Sequence, residues 1–101
     1  MSVLNQPCLK IKENSWLAKI AAFKLGTRAV AMVLGKTIHL CNTTKAQFLQ
    51  DEKWVRHELC HIRQFKEHGC FLFIVKYTWE SITKGYYNNR FEEEARAAEE
   101  L

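Results

Sequence analysis

From Asp51 to Glu67 the apolar residues Trp54, Val55, Leu59, Ile62 and Phe65 recur at three- and four-residue steps. That period gathers them into one stripe along a helix, which a strand with its period of two cannot do. Asp51 and Glu52 suit the positive N-terminal end of such a helix, and His68-Gly69 marks its stop. The rest of the chain must therefore pack against this helix. Beside the stripe lies His57-Glu58-Leu59-Cys60-His61, an HExxH pentad. Residues four apart share a helix face, so two imidazoles about one turn apart can grip a single metal ion. Glu58 is rotated off that line and can reach a water on the metal without being a ligand. The pentad alone also fits two solvated histidines on a polar face, so residues elsewhere must decide.

With 101 residues the chain has room for one domain, 1–101, that buries roughly two-thirds of its unfolded surface. Residues 1–90 carry fourteen Lys or Arg against six Asp or Glu, whereas 91–101 carry five Glu and one Arg. No Lys/Arg cluster is dense enough to form a binding stripe, so no nucleic-acid partner is expected. The longest apolar run, Phe71 to Val75, is too short to span a bilayer, and no membrane partner is expected. The N-terminus lacks the apolar core of a secretory signal. Cys8, Cys41, Cys60 and Cys70 form no CxxC pair, and they read as reduced thiols of a cytoplasmic protein. Oligomeric state is not legible.

The elements point to an α+β fold. Residues 3–12 form an expected strand, and Asn14 or Ser15 then caps a helix stopped by Gly26. Residues 28–34 and 37–41 read as strands of a β-hairpin turning at Gly35-Lys36. Residues 45–50 suit a short helical turn. The run from Phe71 predicts a further helix closing at Gly85, with Leu72, Val75, Trp79 and Ile82 at heptad-like spacing. Trp79 is expected in the core. A loop at 86–90 leads to a last helix over 91–101.

A hydrolytic zinc site takes three protein ligands and leaves one position open. His68 lies two turns beyond His61 and is too far away to share its ion. His39 and Cys41 sit upstream on a strand, as an upstream Cys does in peptide deformylases, but the glycine-rich Cys motif of that family is missing. The remaining source is the acidic stretch Glu92-Glu93-Glu94-Ala95.

Here the chain resembles the gluzincin zinc peptidases, in which a separate downstream helix donates a Glu to the HExxH metal. It looks closest to the small single-domain minigluzincins. The Glu-x-x-Ala spacing is also similar to the glutamate helix of the membrane-embedded prenyl-protein peptidases, without their spans. The resemblance covers the C-terminal half well and the N-terminal half in outline. It implies a small zincin-like domain with an N-terminal helix, a β-hairpin or small antiparallel sheet, an HExxH helix and a C-terminal glutamate helix. It further implies zinc on His57, His61 and Glu92, with Glu94 in reserve, and Glu58 as general base. Many relatives carry an Asp four residues after the ligand Glu, where this chain has Arg96. Arg cannot accept a bond from an imidazole, so Asn88, Asn89, Gln64 or a backbone carbonyl must do so.

The expected activity is hydrolysis of a peptide or protein substrate laid along the edge of the 28–41 hairpin. Tyr77, Tyr86, Tyr87 and His39 are candidate oxyanion donors, and Cys60 reads as a buried small hydrophobe. The alternative is a latent or inactive metal-binding regulatory domain of the same fold. A His₂Glu set also accepts cobalt, nickel or manganese.

Overall fold

The computed structural model describes residues 10–26 and 29–101. Its elements run β1 (Lys10–Lys12), α1 (Trp16–Leu25), β2 (Val30–Leu34), β3 (Thr37–Cys41), α2 (Lys45–Gln50), α3 (Glu52–His68), α4 (Cys70–Asn88) and α5 (Arg90–Ala98). The fold is α+β. The part of the first expected strand before Lys10, and Arg28 in the next, lie outside the described residues.

β2 and β3 form the hairpin, paired antiparallel from Val30↔Cys41 to Leu34↔Thr37. The two-residue turn rests on Gly35, whose φ of 65° suits a residue without Cβ. β1 adds to the other side of β3 in parallel, giving the order β1-β3-β2. The sheet is thus mixed and not purely antiparallel, because α1 carries the chain over before the hairpin begins.

Alternation along the strands sorts side chains to two faces. Val30 and Cys41 meet Ala18 and Ala22 of α1 on one face. Ile38 and Leu40 meet Phe48 of α2 and Val55 of α3 on the other. A third cluster, Phe65, Phe73 and Phe91, ties α3, α4 and α5 together. The HExxH helix is therefore held by the sheet on one side and by the two C-terminal helices on the other. Asp51 caps α3 by accepting from the Trp54 amide, and Thr44 and Gln47 form a capping box on α2.

α4 departs from expectation in two ways. Leu72, Val75, Trp79 and Ile82 face solvent, and Trp79 is 64% exposed. Phe73 and Glu80 turn inward with Tyr77 half-buried, since those three side chains hold α5 and its glutamate in place. The expected loop at 86–90 is also shorter. Gly85 breaks the helix at φ 81°, one more turn follows to Asn88, and α5 starts at Arg90 after a single residue.

Candidate metal centre

His57 and His61 project from α3, and Glu92 comes from the first turn of α5. Glu92 Oε1 lies 3.1 Å from His57 Nε2 and 3.2 Å from His61 Nε2. One ligand atom from each of the three falls within 4.8 Å of the others. Two imidazole nitrogens and one carboxylate oxygen, converging from two helices, form a donor set that can hold a divalent metal ion. Among the described residues, no other group of three His, Cys, Asp or Glu converges in this way.

The outward nitrogens are engaged. His57 Nδ1 is 2.7 Å from Glu99 Oε2, and His61 Nδ1 is 2.8 Å from Gln64 Oε1. Each acceptor favours a proton on Nδ1 and so directs the lone pair of Nε2 toward the metal position. Gln64 was among the sequence candidates for this role. Its orientation is set because its amide nitrogen donates to Phe91 O and to Glu94 Oε1. Glu99 was not anticipated. It stands seven residues after Glu92, two turns on along the same helix face, and this spacing was the available signal. Arg56 anchors that end of α5 by donating twice to the Glu99 carbonyl, at 2.8 and 3.2 Å.

The other candidates fall elsewhere. Glu94 accepts from Gln64 and pairs with Arg63, outside the His–His–Glu group. His39 lies on the α1 face of the sheet, bonded to Ser15 Oγ at 2.8 Å, because strand alternation turns it away from α3. Burial, and then Lys12, hold its imidazole below the usual range. Cys41 packs against α1. His68 accepts from Lys76 and stacks on Phe73. Arg96 donates to the Tyr87 carbonyl and lies over that ring, so it fastens α5 to the end of α4. Cys60 is buried, and burial and then Glu94 push its thiol up to about 11, outweighing Arg63. It is an inert packing residue at neutral pH.

Asn89, once a candidate acceptor for an imidazole, instead builds the junction. It is fully buried, caps α5 by accepting from the Phe91 amide, and donates to the Tyr77 carbonyl and Ser81 Oγ. Glu80 accepts from the Arg90 amide beside it. Two side chains thus satisfy the first amides of α5 and set the rotation that brings Glu92 round to α3. Asn89→Ala is expected to lower stability by about 2 kcal/mol, from a lost cap and two lost bonds to half-buried acceptors. The measurement is the urea midpoint at unchanged m. A shift under about 0.5 kcal/mol would show that the cap contributes little.

No family model matches this chain. No curated protein or solved structure matches it either.

The cluster opens into a cleft of about 440 Å³. Its walls include Met32 and Val33 of β2, Ile74 and Tyr77 of α4, and Ala21 of α1, with His57, Glu58, His61 and Glu92 at its polar end. Glu92 is pulled two ways. Burial would raise its pKa, but bonds to His57, His61 and Tyr77 outweigh this and hold the carboxyl well below the usual range. Burial lowers both imidazoles, yet Glu92, with Glu99 at His57, raises them above the ordinary value. Glu58 sits only 4% exposed, and burial pushes it up to about 8, with Glu92 and Glu99 adding to the effect and His61 opposing it.

Proposed function

We propose that the chain is a zinc-dependent metallopeptidase of gluzincin type. The observation that supports this best is the convergence of His57, His61 and Glu92 with Glu58 buried beside them at the end of an apolar cleft. A site that only held metal has no need of a carboxylate in that place, because burying one there is unfavourable.

In this reading His57 and His61 present Nε2, and Glu92 supplies the carboxylate. A zinc ion held by these three residues would supply Lewis-acid chemistry to a carbonyl and to a water beside it. Glu58 accepts the water's proton and returns one to the leaving amine. Tyr77 keeps its proton, since burial and then Glu92 push the phenol up, and it donates to Glu92 Oε2. Tyr77 therefore steadies the ligand and is not free to donate to substrate. Tyr86 also lines the cleft; burial, then Glu92 by charge and by a hydrogen bond, push its phenol up to about 12, so it keeps its proton at neutral pH. Its place in the cleft wall, half-exposed, makes it the oxyanion donor of this reading. β2 is an edge strand along the cleft, and an extended peptide can pair with its outer side.

The test is digestion of a mixed peptide library by the purified chain. Cleavage should disappear with a chelator and return with about one equivalent of zinc. A zinc-loaded chain that cleaves nothing in the library would favour the alternative, a metal-holding domain without turnover.

A further inference from the structure

The outer face of α4 carries no charge. Phe71, Leu72, Val75, Trp79 and Ile82 form it, with Phe71 77% and Ile82 73% exposed. Soluble proteins bury such a stripe or put it to use. No helix among the described residues is long and apolar enough to cross a membrane, so this face does not belong to a bilayer span. It continues into the cleft, because exposed Ile74 and Thr78 of the same helix line the cleft wall. On the opposite wall, α1 leaves Ile20 and Phe23 exposed beside cleft-lining Ala21.

The surrounding charge selects the occupant. The single acid of α4, Glu80, is turned inward and engaged by Lys84 and the Arg90 amide. Glu67 at the end of α3 pairs with Arg63. Lys66 and Lys76 have no carboxylate partner among the described residues; Lys66 is exposed, and Lys76, half-buried and donating to His68, stands one turn from Leu72 and Trp79. An apolar face with an aromatic anchor and basic flanks complements an anionic lipid surface. A second copy suits it less well, since it brings the same basic flank and its α4 has no free acid to answer it.

We propose that α4 seats this chain on anionic membrane surfaces, with Phe71, Trp79 and Ile82 entering the interface and Lys66 and Lys76 meeting lipid phosphates. The mouth of the cleft then lies at the lipid surface. If the peptidase reading holds, the substrate is a peptide segment lying on or emerging from a membrane. The docking itself needs neither metal nor turnover.

The experiment is co-sedimentation of the full chain with vesicles of phosphatidylcholine alone, and of phosphatidylcholine mixed equally with phosphatidylglycerol. Binding should be strong to the anionic vesicles, weak to the neutral ones, and weaker at high salt. Trp79→Glu with Ile82→Glu, both on the solvent side, should reduce binding by about tenfold or more while circular dichroism and zinc content stay unchanged. Lys66→Ala with Lys76→Ala should remove most of the preference for anionic lipid, at about fivefold per charge. No vesicle binding, or binding indifferent to all four substitutions, overturns the proposal. Light scattering that shows a dimer abolished by Trp79→Glu, without vesicle binding, assigns the face to a second copy instead. Because no outcome depends on peptide cleavage, its failure is separable from failure of the peptidase reading.

Discussion

Glu92→Ala is expected to strip the metal. Wild-type protein purified without a tag should hold about one zinc per chain, and the variant little or none. The reason is geometric. Glu92 Oε1 is the point on which both Nε2 atoms converge, and no other described carboxylate joins that group. Neighbouring substitutions should fall in a graded order. Glu99→Ala frees His57 Nδ1, and a lost outer partner lowers metal affinity roughly 10–100-fold. Glu94→Ala acts one step further out, by loosening the amide of Gln64 that faces His61, and should cost less. Affinity in the wild type should also weaken as pH falls, because the metal must displace protons from imidazoles held above their ordinary value. Inductively coupled plasma spectrometry on the three variants decides the register. If Glu94→Ala lost the zinc and Glu92→Ala kept it, the ligand would be Glu94.

The sequence carried this register only in part. Helical spacing puts Glu92 and Glu94 on different faces, but spacing cannot say which face meets α3. That choice is made at Asn89 and Glu80, which fix where α5 starts and how it is rotated. Asn89 accepts from an amide two residues on and Glu80 from one ten residues on, and neither residue type by itself marks such a cap in the sequence. Glu99 escaped for a similar reason, since the expected acceptor lay one turn earlier, at the position of Arg96. By contrast, the hairpin, the HExxH helix and its caps were legible, because local periodicity and turn chemistry specify them.

α4 was misread for a physical reason too. Its sequence is apolar on nearly every side, so periodicity could not choose the buried face. The fold chose it through Tyr77, which reaches Glu92, and Phe73, which reaches Phe65 and Phe91. The stripe with the better heptad spacing was left outside. His39 shows the same limit in the sheet. Its place in β3 was readable, but the face it points to depends on which helix packs on which side.

Glu58→Gln is expected to separate chemistry from binding and from folding. Peptide hydrolysis should fall about 10²–10⁴-fold, the usual contribution of a general base, with zinc content unchanged. Full activity in the variant would remove Glu58 from the mechanism. The same substitution should stabilise the metal-free protein at high pH. In the unfolded chain the carboxyl ionises near 4.5, whereas in the fold burial holds it to about 8. Between those values the folded state keeps a proton that the unfolded state has released, so stability declines as pH rises through the window. The contribution is whole below the lower value and lost above the upper one, at about 1.4 kcal/mol per pH unit of displacement. Glutamine fills the same space and has no such proton. Urea unfolding with chelator present, at about pH 5 and about pH 9, should show the variant gaining a few kcal/mol over wild type only at the higher pH. Zinc should shrink that difference, because a divalent cation beside Glu58 favours its ionised form. An equal offset at both pH values would mean that Glu58 is already ionised in the metal-free fold, and that the site is wetter than its burial implies.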